Sequence, residues 1–389
     1  MEDKDQYHHY IPRFLLRNFA IDNCERVFAS SNNLLRKQLF LQKKKRTELL
    51  QTYDRTKNQL GVSLIAKTYG YENMYKDFNH EDAMHVEEKL AKLEGQASKM
   101  IRDILKASQV ENQIVLLRRD LIGRRLHAAA QITTHSGSVV TEHPDDYRQR
   151  MIDGFLVIWQ AGENDEFIIT SNGFGIFEGV TGTMVGGLPF QFAYHYFYVI
   201  SPKLALVLCH TSLRNERKEI GSDVWTETFK TMGFKRSILE NAPHPAAIPN
   251  YVATPKYVPS HEYGRSTDRN PETAFDSLLN SVGLKRQEDD MFTFRFAKIP
   301  SATVHLVNSI LLNETKPDLV LTFSSRPYLY KTILKYHKSN VGVQHDFSSL
   351  KKMLFMELNK THEEDLHLRK KIPAGRTFNW NVRGMDSES

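Results

Sequence analysis

His8 and His9, with Arg13 and Arg17 close behind, set two imidazoles and two guanidiniums in the run His8-His9-Tyr10-Ile11-Pro12-Arg13-Phe14-Leu15-Leu16-Arg17-Asn18-Phe19. Imidazole titrates near neutrality and offers a lone pair, so a histidine here can move a proton or hold a metal. The arginines can stabilise phosphate charge. Adjacent side chains of an extended segment face opposite ways, so at most one of the two histidines enters a given site. The competing reading makes Tyr10, Ile11 and Phe14 anchors in a core and leaves the histidines to satisfy backbone groups.

Glu94 is the next chemical candidate. It stands about 60° from the centre of the stripe formed by Ala83, Val86, Leu90, Leu93, Ala97, Ile101 and Ile104, at the border of a buried face. A carboxylate there needs a cation or hydrogen-bond donors, because an unpaired buried charge is costly. Arg13, Arg17 or an arginine of the following segment would make it a structural salt bridge; a metal ligand or general base is the other reading. Ser171 and Asn172 sit in Thr170-Ser171-Asn172-Gly173, where a strand gives way to a Gly-rich stretch. That position suits presentation of side chains at a sheet edge, and equally suits a plain turn. The glycines from Gly173 to Gly187 match neither phosphate-loop pattern, and HExxH, GxSxG, CxxC and kinase motifs are absent.

Those candidates need elements to hold them. Pro12 biases Ile11 toward an extended conformation and can open a helix, so the first run reads as an arm turning into a helix. The segment to about residue 60 is polar, basic and weakly patterned, a loop-rich connection with a short strand at Val27–Ala29. The three-and-four spacing predicts a helix from Asn79 to about Leu105, and a second from Glu111 to about Thr133 would close a helical hairpin. From Met151 the pattern turns to strands. Phe155–Gln160 and Phe167–Thr170 read as a hairpin, Gly173–Gly187 as a loop, and Tyr194–Ile200 with Leu204–Cys209 as a strand pair. Prolines 243 to 271 mark a surface loop. Beyond them the pattern predicts a strand at Met291–Ala297, a helix at Ser301–Leu312, a strand at Asp318–Phe323, and helices at Pro327–His337 and about Asp346–Leu358. The fold class is therefore α+β: an N-terminal arm and long helical hairpin packed on a mainly antiparallel sheet, with a smaller C-terminal α/β portion.

With 389 residues, 40% of them hydrophobic, the chain can bury a sizeable core as a globular protein. Its apolar runs fall short of the roughly 20 residues of a membrane span, so no membrane partner is expected. The acidic opening Met1-Glu2-Asp3-Lys4-Asp5 resembles neither a signal nor a transit peptide, which points to the cytoplasm or nucleus and away from secretion. Cys24 and Cys209 suit a reducing compartment and argue against a disulfide framework or a cysteine zinc site. The net charge of +6 permits nucleic acid or another anionic ligand without demanding one. Lys43, Lys44, Lys45 and Arg46 form the densest basic block, either a nucleic-acid contact or a solvated face.

The chain resembles the family called domain of unknown function 4238. The resemblance rests on the His8–Phe19 run, on Leu93-Glu94-Gly95, on Ile168-Ile169-Thr170-Ser171-Asn172 and on Ile200-Ser201-Pro202, in scattered blocks from residue 7 to about 320. It implies that the arm, the Glu94 helix and the 168–172 turn share one fold and converge. It also implies a departure: the family carries Asp where this chain has Asn172, and a nearby proline is missing. Asn keeps an acceptor oxygen but removes the anionic charge that a metal site or general base uses. On this reading residues 1–240 are the core, 241–272 a Pro-rich linker, 273–372 an α/β portion completing the fold, and 373–389 a disordered tail.

Three functions fit. The first is a metal-dependent hydrolase-like or degenerate hydrolase site on phosphodiesters. There His8, His9 and Glu94 act on the reaction, and Arg13, Arg17, Ser171 and Asn172 bind substrate; a divalent metal is implied only on this reading. The second is a non-catalytic nucleic-acid-binding or protein-interaction module using Lys43–Arg46. The third is a scaffold whose polar groups are structural.

Overall fold

Pro12, extended at φ −55° and ψ 135°, launches a four-residue helix at once, as its fixed ring favours. The computed structural model describes residues 7–21, 48–74, 85–110, 114–118, 154–172, 176–183, 189–210, 213, 236–245, 248–250, 291–314, 320–339 and 343–371. In chain order these form β1 (Tyr7–His9), α1 (Arg13–Leu16), β2 (Leu49–Asp54), β3 (Gln59–Leu64), β4 (Gly70–Glu72), α2 (His85–Ala107), β5 (Ile114–Arg118) and β6 (Gly154–Gln160). They continue with β7 (Ile169–Thr170), β8 (Ile176–Thr183), β9 (Pro189–Ser201), β10 (Leu204–His210), β11 (Ile248–Asn250), β12 (Met291–Lys298), α3 (Ser301–Asn313), β13 (Val320–Phe323), α4 (Arg326–Tyr336) and α5 (Ser348–Lys371). The fold is α+β.

The larger sheet runs β11-β12-β6-β10-β9-β8, with β5 also on β12. Its ladders are antiparallel except where β12 lies parallel to β6. Val157, Ile158 and Trp159 of β6 and Leu204 to Val207 of β10 are buried, as the continuous apolar runs of central strands require. A smaller sheet runs β3-β2-β13-β7, antiparallel throughout. Both sheets thus take a strand from the C-terminal third: β12 beside β6, and β13 between β2 and β7. Helix α3 joins those two strands. It is buried almost all round, from Val304 through Asn313, and is apolar on most faces, the pattern of a central helix.

The arm docks by its apolar side chains: Ile11, Leu15, Leu16 and Phe19 are fully buried. Its strand β1 pairs with β4, and the pairing needs a glycine. A Cβ on Gly70 would stand 2.2 Å from the His8 carbonyl oxygen, so only a bare Cα lets the strands come this close.

Several sequence expectations give way. Residues 114–118 are a strand on β12, where the pattern predicts a second helix; the β-branched and leucine run fits either element, and the partner strand decides. The remainder of that expected helix lies outside the described residues. Phe155–Gln160 and the 167–170 segment do not pair with each other: β6 joins β10 and β12, while β7 joins β13. The Gly-rich stretch contains β8, stabilised by its ladder with β9 despite glycines that weaken a strand in isolation. The stretch before residue 60 holds β2, which pairs with β3 just beyond it. By contrast, β6, β9, β10, β12, α3, β13, α4 and the end of α2 fall within a few residues of expectation, apart from β9's earlier start, while the expected start of α2 at Asn79 lies outside the described residues. The helix expected to about Leu358 continues to Lys371. Val27–Ala29, the 373–389 tail and most of the Pro-rich stretch lie outside the described residues.

Candidate functional site

Asp165 and Glu166 follow β6 in a tight connection that Lys203 fastens. The Lys203 ammonium donates to the carbonyls of Gly162, Glu163 and Asp165 at 3.2, 2.8 and 2.7 Å, stands 3.9 Å from Glu166 Oε1, and lies over the Tyr328 ring. The Asp165 carboxylate is buried, and its Oδ1 accepts from Lys331 Nζ at 2.8 Å and Ser301 Oγ at 2.9 Å. Ser301 and His305 lie one turn apart on α3, and His305 Nε2 comes within 3.3 Å of the same oxygen without hydrogen-bonding alignment. Its Nδ1 meets Thr332 Oγ1 at 3.2 Å. Asn308, one further turn along, receives the Ile168 amide and donates to the Glu166 carbonyl, fixing the backbone beside the carboxylates.

Electrostatics divide these groups. Burial alone would raise the Asp165 carboxyl; the hydrogen bonds from Lys331 and Ser301 and the Lys331 charge bring it below the usual carboxylate range. Burial dominates at Glu166 and pushes its carboxyl up to about 7, against the opposing charge of Lys203. Burial likewise lowers His305 to about 4, helped by the charges of Lys331 and Lys335 and opposed by Asp165, so the ring is neutral at pH 7. Two atoms of this cluster, Glu166 Oε2 and His305 Nε2, are buried without a hydrogen-bond partner among the described residues. Lys203 and Lys331 form its exposed rim, each side chain 39% accessible.

A second cluster lies on the larger sheet. Glu178, His195 and Cys209 are direct cross-strand partners on β8, β9 and β10, one rung of neighbouring side chains. Glu178 Oε2 meets His195 Nδ1 at 2.8 Å, Ser237 Oγ donates to the same oxygen at 2.9 Å, and the Ile238 amide donates to Oε1 at 3.1 Å. His244, brought in by the same 236–245 segment, places its Nε2 2.8 Å from His195 Nε2. Burial, with His195 beside it, lowers His244 to about 4.

The arm contributes differently. His8 is buried; His9 is half-buried, packs edge-on to Tyr7 and donates from Nδ1 to the Thr68 carbonyl at 2.9 Å. Burial lowers the His9 pKa against the hydrogen bond to Thr68, and neighbouring Arg13 and His8 act with burial. Arg13 and Arg17 both reach Glu48, at 3.8 and 2.7 Å. The next residue after Thr68, Tyr69, is held at φ 57° and sends its hydroxyl to Thr322 Oγ1 at 2.8 Å and to the Val320 carbonyl at 3.2 Å. Ser171 is tied to the same place, its amide donating to Val320 O at 2.9 Å. The structure therefore links the arm to the 168–172 turn through Thr68 and Tyr69. Thr170 Oγ1 and Ser171 Oγ are buried without a hydrogen-bond partner among the described residues, and Asn172 is half-buried at the end of the turn. Glu94 is half-buried on α2. Lys43, Lys44, Lys45 and Arg46 lie outside the described residues.

Residues 7–150 match the family model described as a protein of unknown function, DUF4238. Over that stretch the chain is similar to the family. The DUF4238 match spans the arm and the Glu94 helix and ends before the 168–172 turn and Ile200–Pro202, a narrower reach than the scattered blocks suggested. No curated protein and no solved structure matches the chain.

Both titratable clusters lie beyond the DUF4238 match. Asp165, Glu166, Lys203, Ser301, His305 and Lys331 form no motif along the chain, because they come from four separate segments. The one available signal is the adjacent acid pair at the end of an apolar strand. His195, Cys209 and His244 show no ligand spacing along the chain, since the sheet and not the sequence makes them neighbours.

Proposed function

We propose that this protein is a hydrolase of anionic esters, phosphodiesters foremost, acting from the Asp165–Glu166–His305 cluster. The observation that carries this reading is a pair of buried acid–base atoms, Glu166 Oε2 and His305 Nε2, that accept or donate no aligned hydrogen bond among the described residues, beside the Asp165 carboxylate and a rim of half-exposed lysines. A carboxyl that titrates near neutrality is matched to general acid–base work.

Glu166 takes a proton from the attacking water as the new phosphorus–oxygen bond forms, and returns it to the leaving oxygen as the ester bond breaks. Lys331 supplies fixed positive charge at the rim toward the negative charge that develops on the phosphoryl oxygens. Its ammonium already occupies Asp165 Oδ1, so positive charge at that oxygen comes from Lys331. Asp165 and Ser301 position the lysine.

The test is hydrolysis of bis(4-nitrophenyl) phosphate and 4-nitrophenyl phosphate by the full chain across pH. We expect turnover whose kcat profile bends near pH 7, loss of about 100-fold or more in Glu166→Gln, and a raised KM in Lys331→Met with the fold intact by circular dichroism. Absence of turnover with both esters, or an unchanged profile in folded Glu166→Gln, overturns the reading.

A further inference from the structure

We propose that His195, His244 and Cys209 form a buried site for a divalent transition metal, zinc by its donor set, which staples the 236–245 segment to the larger sheet. One ligand atom from each lies within 4.8 Å of the others, and all three residues are buried.

The protons on the two rings come first. His195 gives its Nδ1 hydrogen to Glu178, a carboxylate fixed from its other sides by Ser237 and the Ile238 amide. A carboxylate on one ring nitrogen sets the tautomer and leaves the other nitrogen as a lone pair, the arrangement that orients metal-binding histidines. A His244 Nδ1 hydrogen given to the neighbouring Ala242 backbone would leave Nε2, which faces His195, as the second lone pair. Both Nδ1 hydrogens are then in use, and the two Nε2 lone pairs point at each other across 2.8 Å. Two lone pairs do not rest so; a positive centre belongs between or beside them, either one shared proton or a metal ion.

Cys209 favours the metal. A shared proton has no use for a third donor, whereas a thiolate with two imidazoles is a zinc-type set of three ligands that leaves a fourth position for a small ligand such as water. Tetrahedral coordination at roughly 2.1 Å for nitrogen and 2.3 Å for sulfur separates the two nitrogens by roughly 3.4 Å, so the rings would part by about 0.6 Å from their present 2.8 Å. His244 can supply that movement, because it lies on a turn-rich segment while His195 and Cys209 are held in the ladder. A register shift at Glu178/Gly179 marks a bulge beside the rung, a device that re-aims side chains. Trp159 and Phe197 wall the histidines, and the Trp159 indole donates to Pro243 O at 2.8 Å. Such an enclosure keeps bulk solvent from the ion. Binding releases the Cys209 thiol proton to solvent.

The experiment uses the untagged full chain. We expect a stoichiometric equivalent of zinc by elemental analysis, and cobalt exchange giving a thiolate-to-cobalt charge-transfer band. Zinc added back to chelator-treated protein should raise its thermal midpoint. Glu178→Gln should weaken zinc binding about 10- to 100-fold while keeping the rung's shape. Folded Cys209→Ser should lose the charge-transfer band. Trace zinc with no shift of the midpoint overturns the proposal and leaves a proton between the rings. Cobalt uptake without the band in the wild type, or equal zinc in folded Cys209→Ser and His244→Gln, overturns it as well. None of these readouts uses ester hydrolysis, so this proposal and the hydrolase reading stand or fall separately.

Discussion

Two buried histidines in this molecule each lean on a carboxylate, and the difference between them shows how neighbours decide what such a pair can do. At His195 the carboxylate belongs to the ring: Glu178 lies 2.8 Å away and also accepts from a hydroxyl and an amide. At His305 the carboxylate belongs to a lysine: Asp165 takes Lys331 at 2.8 Å, while the ring waits at 3.3 Å without alignment. The first pair is closed by aromatic walls and set in a ladder. The second opens onto half-exposed ammonium groups at the end of a strand and the start of a helix. A closed pair holds structure in place; an open one leaves groups available to a ligand.

The largest effect that would break this contrast is in stability. Glu178→Ala should cost about 3 kcal/mol or more by denaturant unfolding, because it strands the His195 ring, the Ser237 hydroxyl and the Ile238 amide inside the protein. Asp165→Asn should cost less, about 1–2 kcal/mol, since Lys331 is partly solvated and its charge is screened. If Asp165→Asn proved the costlier, the open cluster would be the structural one and the comparison would invert.

A further effect is a slope, small at any one pH step. Glu166 is raised in the folded protein, so its contribution to stability is complete below its ordinary 4.5 and is lost as pH rises through about 7. His305 is lowered, so its contribution is complete above its ordinary 6.5 and is lost as pH falls through about 4. The stability of Glu166→Gln relative to wild type should therefore rise with pH between about 4.5 and 7, and that of His305→Gln should fall with pH between about 4 and 6.5. Each slope is bounded by the single-proton limit of about 1.4 kcal/mol per pH unit. Parallel unfolding curves for either variant across its range would show that the group titrates no differently in the folded chain, and would erase the electrostatic side of the contrast.

Much of the scaffold is legible in the residues themselves. Helix periodicity places α2, α3 and α4, and dense apolar runs place β6, β9, β10, β12 and β13. Pro12 announces the helix that follows the arm. What misleads is sequence whose strand character comes from a partner. Ile114–Arg118 carries the residues of either element, and β12 settles it as a strand. The Gly-rich residues of β8 have little strand preference of their own, and β9 supplies the ladder that orders them. Two cysteines look too few for a zinc site, but that count leaves out the histidines able to complete one.

An α+β chain, the DUF4238 arm with its adjacent histidines, and the helices whose apolar stripes repeat every three to four residues are all written in the amino-acid order. Those features are local: they follow from backbone preferences and from periodicity within one segment. Which acids meet which bases is settled by packing alone. Glu178, His195 and Cys209 are neighbours because three strands align in register, and Asp165 meets Lys331 because α3 and α4 pack beside the end of β6. Strand register and helix packing are fixed by burial summed over the whole chain, and no short run of residues carries that sum.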